Sequence, residues 1–193
     1  MAPTASAPTP ARNVAVLVGS LRRDSLNLKL ANALATMAPP SLSLERVDIG
    51  QLPLFNQDWE ASPPPAAVDF KSRIQAADAV LFITPEYNRS VPGALKNAID
   101  VASRPYGQSA WTGKPGAVIS VSPGLIGGYG ANHHLRQSMV FLNVPMMAQP
   151  EAYIGNAGNL FDEQGGIVKA ETQQFLQKFL DSFVTWIERN LVV

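Results

Sequence analysis

Apolar and polar positions fall in blocks along this chain, and the period changes from block to block. Val14, Ala15, Val16, Leu17 and Val18 form an unbroken apolar run, as do Ala79 to Ile83 and Ala117 to Val121. Runs without a polar position fit strands covered on both faces of a parallel sheet. Between them the spacing shifts to three and four. Leu26, Leu30, Leu34 and Met37 make one helical stripe, Phe70, Ile74 and Ala77 a second, Val91, Leu95, Ile99 and Ala102 a third, and Leu135, Met139 and Leu142 a fourth. The stripe from Phe175 through Leu176, Phe179, Leu180, Phe183, Val184 and Ile187 to Leu191 predicts a final, strongly amphipathic helix laid on the sheet.

Two weaker strands complete the pattern. Ser41 to Ile49, with Glu45, Arg46 and Asp48, suits a sheet edge, and a short fifth strand is expected near Val144 to Ala148. Strand and helix then alternate five times, which predicts an α/β fold with a five-stranded parallel, doubly wound sheet and right-handed crossovers. Pro39 and Pro40 end the first helix, and Ser90 is expected to N-cap the third. Gly50 to Pro65 is irregular yet carries Leu52, Leu54, Phe55 and Trp59, so it is expected to fold back on the body or to meet another subunit.

Composition narrows the class. A chain of 193 residues, 46% hydrophobic and 16% charged, makes one globular domain with a sizeable core. The formal net charge is zero, so no basic field for nucleic acid or an anionic membrane is expected. No apolar run approaches the roughly 20 residues of a membrane span. The absence of cysteine excludes disulfides, thiolate metal sites, iron–sulfur clusters and a cysteine nucleophile. Residues 1–12, opening MAPTASAPTPA, read as a disordered tail without the basic and apolar regions of an export signal, and 13–193 as the single domain. A cytoplasmic location is expected. His133 and His134 are adjacent and so point apart on a helix, which rules out an i, i+4 metal pair, and no metal site is expected.

The chemistry lies in the loops that follow apolar runs. After Gly19, the segment GSLRRDSLN supplies Ser20, Arg22, Ser25 and Asn27 just as a helix begins. A tight turn there aims backbone N–H groups and a positive helix end at one point, which favours a phosphate. The segment is neither G-x-G-x-x-G nor G-x-x-x-x-G-K-[ST], so neither a dinucleotide fold nor a P-loop enzyme is signalled. Side-chain hydroxyls and one Arg fit a terminal monoester held in place. The plainer alternative has Ser25 capping the helix and the arginines solvated.

The second loop, Thr84 to Pro92, offers the stiff X-Pro step of Pro85 followed by Glu86, Tyr87 and Asn88, a setting for a planar ligand against Pro85 and Tyr87. In the third, Ser122 to Gly130, Ser122, Gly124, Gly127 and Gly128 permit close backbone approach to a flat ring. In a doubly wound sheet all three loops should meet beyond the carboxyl ends of the strands. Ser20 lacks a histidine and acid partner, so a serine hydrolase is not indicated.

Together GSLRRDSLN, TPEYNRSVPGALKNAID and SPGLIGG resemble the NADPH-dependent FMN reductase family, and within it the quinone and chromate reductase group. The resemblance spans about Asn13 to Leu142. It implies a flavodoxin-like three-layer sandwich and non-covalent FMN, with NADPH or NADH as electron donor. By matching positions, Ser20, Arg22, Ser25 and Asn27 would hold the phosphate. Pro85, Glu86, Tyr87 and Asn88 would border the isoalloxazine, and Ser122 and Gly124 would complete the ring site. It further implies ping-pong reduction of quinones, chromate or other small oxidants, and a homodimer or homotetramer. No side chain is singled out as catalytic, since the flavin carries the chemistry. Azo or nitro reduction in the same family, and a non-enzymatic electron-transfer or redox-sensing module, are the alternatives.

Overall fold

The computed structural model describes residues 11–191. The three apolar runs become β1 (Arg12–Val18), β3 (Ala79–Thr84) and β4 (Gly116–Val121), buried on both faces along most of their length. β2 (Leu42–Arg46) and β5 (Ala152–Ile154) close the two edges. All five pair in parallel in the order β2-β1-β3-β4-β5, the flavodoxin-like doubly wound order. The helices are α1 (Leu26–Met37), α2 (Pro65–Ala76), α3 (Gly93–Ser103), α4 (Tyr129–Phe141) and α5 (Ala170–Leu191).

Alternate side chains of the central strands feed two cores. Val14, Val16, Leu81, Ile83 and Ile119 pack with α1 and α5, whereas Leu17, Val80, Phe82 and Val118 pack with α2, α3 and α4 around Trp111. The expected three-layer sandwich is therefore present. Trp111 is fully buried, and its indole N–H donates to the Ile99 carbonyl at 2.9 Å, so burial leaves no polar atom unpaired.

The structure departs from the sequence expectations at five places. The fifth strand is Ala152–Ile154 and not Val144 to Ala148. That earlier segment makes only one parallel bridge, Gly116 with Met146, at the foot of β4. Pro150 then interrupts, lacking the N–H a ladder needs, and the edge strand forms at the other end of β4. The second strand stops at Arg46 because Asp48 turns the chain, its carboxylate accepting the Gly50 N–H at 2.9 Å. Ser90 does not cap α3. Pro92 holds the N-cap position without a side-chain bond, and Ser90 Oγ instead meets His134 Nδ1 at 2.9 Å. Arg12 already pairs with Leu42, so the folded part begins one residue before the expected boundary, while residues 1–10 of the expected tail lie outside the described residues. Asn27 belongs to the first turn of α1 and not to the loop before it.

The long segment after β2 folds back on the body, as expected. Leu52, Phe55 and Trp59 pack against the second core, and Asn97 of α3 clamps the backbone, accepting the Phe55 N–H at 2.8 Å and donating to Pro53 O at 2.9 Å. Leu54 is the exception at 82% exposed.

Candidate functional site

The switch in strand order falls at β1 and β3, and the loops leaving β1, β3 and β4 meet beyond their carboxyl ends. Contacts between loops document the meeting. The Gly19 N–H donates to Ile83 O at 2.8 Å, and a Cβ at Gly19 would stand 3.0 Å from Thr84 Oγ1 and 3.2 Å from Pro85 Cδ, so the first loop lies directly on the second. Asn27 Nδ2 reaches Val121 O at 3.5 Å, tying the start of α1 to the end of β4. A Cβ at Gly130 would come 2.8 Å from Arg89 O and 2.9 Å from Glu86 Oε2, which presses the second loop on the start of α4. Glycine is required at Gly130, and at Gly19 a methyl group would press on its neighbours. The N-termini of α1, α3 and α4 all lie on this edge, so three positive helix ends converge.

The residues of the first loop divide their work. Ser25 is 3% exposed and N-caps α1, its Oγ accepting the Leu28 N–H at 3.3 Å. Ser20 Oγ accepts the Arg22 N–H at 3.4 Å and shapes the turn, while the Arg22 side chain is exposed and pairs with no carboxylate among the described residues. Asn27 is 4% exposed, and its Oδ1 is buried without a hydrogen-bond partner. Turning the amide over would set Oδ1 against the Val121 carbonyl, so the open position is an acceptor that calls for a donor.

In the second loop Tyr87 and Ser90 close a two-residue turn, their N–H groups exchanging bonds at 3.1 and 3.0 Å. Asn88 and Arg89 both take positive φ, 51° and 65°, as a type I′ turn requires. The Tyr87 ring is 46% exposed, and Pro85 lies half-buried beside Gly19. The Glu86 carboxylate also has a task within the fold. Only 11% exposed, it accepts the Ala131 N–H at 3.1 Å and pairs with Arg89 at 3.2 Å. α4 starts behind Gly128, which has no side chain to cap it, so Glu86 supplies the anion at that helix end from another loop.

The third loop is built on β5. Ser122 donates its N–H to Ile154 O at 3.0 Å and accepts the Gly124 N–H on Oγ at 3.1 Å. Gly124 is exposed, and its carbonyl receives the Gly127 and Asn156 N–H groups. Asn132, fully buried in α4, holds the loop from beneath by donating to Ser120 Oγ and Ala152 O, both at 3.3 Å. Sequence reasoning missed Asn132 and Asn97, because a lone amide inside a helix carries no local signal. His133 Nε2 meets Tyr153 OH at 2.9 Å, and burial, ahead of the Glu151 carboxylate, pushes the Tyr153 phenol up to about 12.

Ser20, Arg22, Asn27, Pro85, Tyr87, Asn88, Ser122 and Gly124 thus share one edge of the sheet. The donors, the helix ends and the glycine cradle suit a phosphate joined to a flat ring, and Asn27 Oδ1 suits a hydroxyl between them. FMN has all three parts.

The profile of the NADPH-dependent FMN reductase family matches residues 12–159. Over 182 residues the chain is 60% identical to a quinone reductase of Pseudomonas putida, covering 94% of this chain and 97% of that protein. It is 51% identical over 182 residues to the 2-hydroxy-1,4-benzoquinone reductase of a Burkholderia species, covering 94% and 100%. Among solved structures, the flavoenzyme NAD(P)H:(acceptor) oxidoreductase FerB from Paracoccus denitrificans superposes with a TM-score of 0.89 at 48% identity, covering 93% of this chain and 99% of that one.

Proposed function

Because the chain belongs to the NADPH-dependent FMN reductase family, we propose that it is an FMN-dependent NAD(P)H oxidoreductase whose acceptors are quinones and, at the same open edge, other small oxidants such as chromate. The observation that carries this reading is the junction of the β1, β3 and β4 loops, where three helix N-termini and Arg22 face one edge. Bound at this edge, FMN would supply the redox chemistry between a nicotinamide donor and the acceptor.

The protein's part is positioning and charge. Ser20, Arg22 and the N–H groups at the start of α1 hold the phosphate, with Ser25 fixing that helix end through its cap. Asn27 Oδ1 receives a ribityl hydroxyl and not a phosphate oxygen, since two acceptors repel. Pro85, Tyr87 and Asn88 border the ring, while Glu86 keeps their turn on α4. Ser122 and Gly124 close the opposite side.

The working assembly is a homodimer or homotetramer. Leu125 and Ile126 before α4, Tyr129 at its start, and Val140 and Phe141 at its end are at least half exposed, and Leu54 projects from the folded-back segment. Among the described residues no helix is long and apolar enough to cross a membrane. We place the protein in the cytoplasm, where its nicotinamide donor is regenerated.

The test is the absorbance spectrum of the purified protein, followed by anaerobic NADPH and then a quinone. A yellow chromophore that bleaches with NADPH and returns with the quinone is expected. A protein that stays colourless after incubation with FMN refutes the assignment, and one that needs a partner protein to consume NADPH is a carrier.

A further inference from the structure

On the β2 side of the first loop, away from the face where Asn27 meets β4, lies a cleft of about 370 Å³. Its walls carry three guanidinium groups, Arg22 and Arg23 from the loop and Arg46 from the end of β2. None of the three has a carboxylate within ion-pair distance among the described residues; Arg12, Arg73, Arg89 and Arg104 do, and Arg136 and Arg189 do not. The cleft's one acid, Asp48, is engaged with the Gly50 N–H, and nearby Asp24 is taken by Lys29 at 2.6 Å. Like charges gathered in one cleft repel one another, and an anion between them relieves that repulsion. With Arg22 assigned to the FMN phosphate, Arg23 and Arg46 against Asp48 still leave a net positive charge on this side of the cleft, which favours an anionic group. Guanidinium forks suit phosphate oxygens geometrically as well.

Two phosphomonoesters belong to the proposed reaction, the 5′-phosphate of FMN and the 2′-phosphate of NADPH. The FMN phosphate is accounted for by Ser20, Arg22 and the end of α1. NADH lacks the second, so a site for it distinguishes the two donors. We propose that the Arg23–Arg46 side of this cleft binds the 2′-phosphate of NADPH and selects NADPH over NADH. The proposal rests on the flavoenzyme reading above.

The holoenzyme, with Arg23→Gln, Arg46→Gln and the double variant, is assayed with each nucleotide against a fixed quinone. Adenosine 2′-monophosphate binding is measured directly by calorimetry. The wild type is expected to prefer NADPH and to bind adenosine 2′-monophosphate. Each substitution raises KM for NADPH about tenfold, the loss of one charge-assisted bond, with kcat and the NADH kinetics unchanged. The double variant loses the preference and the binding together. Equal use of both nucleotides by the wild type overturns the proposal. So does an equal loss for NADH and NADPH, which would mark general electrostatic steering. Weaker FMN binding with an unchanged NADPH to NADH ratio also overturns it and assigns the cleft to the flavin phosphate. A wild type that consumes neither nucleotide overturns the flavoenzyme reading and this proposal with it.

Discussion

Replacing Glu86 by Ala separates a helix cap from a cofactor contact. The carboxylate serves the Ala131 N–H, one of the four at the start of α4 without an intrahelical partner, and Gly128 supplies no side chain in its place. Removing an N-terminal cap costs about 1 kcal/mol, and withdrawing a shielded negative charge from a helix N-terminus about 1 kcal/mol more. The Arg89 pair adds little, because the Arg89 side chain is 76% exposed. The sum, about 2 kcal/mol, lowers Tm by roughly 4–8 °C in a domain of this size. Glu86→Gln keeps an acceptor and loses the charge, so about half that drop is expected. The assay is urea and thermal unfolding of the apoprotein and of the FMN-loaded protein. A cap weakens both forms equally. An apoprotein of wild-type stability whose FMN affinity has collapsed would falsify the capping argument and return Glu86 to the ring site.

Arg22→Ala is expected to raise the FMN dissociation constant about tenfold or more with an unchanged far-UV circular dichroism spectrum, since the side chain is exposed and unpaired. Unaltered flavin fluorescence titrations would remove Arg22 from the phosphate site. Gly155→Ala drives a methyl group into the Leu125 carbonyl and is expected to destabilise the protein by about 2 kcal/mol in urea unfolding and to weaken FMN binding by shifting the third loop. Wild-type unfolding would show that the loop yields freely. Glu188 accepts two bonds from Arg12, at 2.8 and 3.0 Å, which hold its carboxyl below the usual range. Its stabilisation is therefore complete above the ordinary carboxylate pKa and is lost as pH falls through the lowered one. Glu188→Gln should be less stable than the wild type at pH 7 by under about 1 kcal/mol, with the gap closing in acid. A gap that persists below pH 3 would mean that the pair acts through packing.

Sequence alone determined the frame. Apolar runs at 14–18, 79–83 and 117–121 and the helical stripes between them are local periodicities, and a sheet buried on both faces has no other way to write itself. The loops after those runs carry their chemistry in consecutive residues, so the phosphate loop, the Pro85 to Asn88 step and the glycine loop were legible, together with the family they mark. Tertiary structure decided what those residues do with their polar atoms. Glu86 caps a helix that begins 43 residues later, as Tyr129 opens α4. Ser90 turns to His134 instead of its own helix, and Asn27 is left with an acceptor in need of a donor. The fifth strand moved from 144–148 to 152–154 because only there, past Pro150, does the chain run beside the carboxyl end of β4. Arg46 reads as an edge-strand charge until the sheet sets it beside Arg22 and Arg23. Each of these outcomes is a pairing between groups distant along the chain. Such a pairing is fixed by where the folded sheet places its strand ends, and it leaves no periodic trace in the sequence.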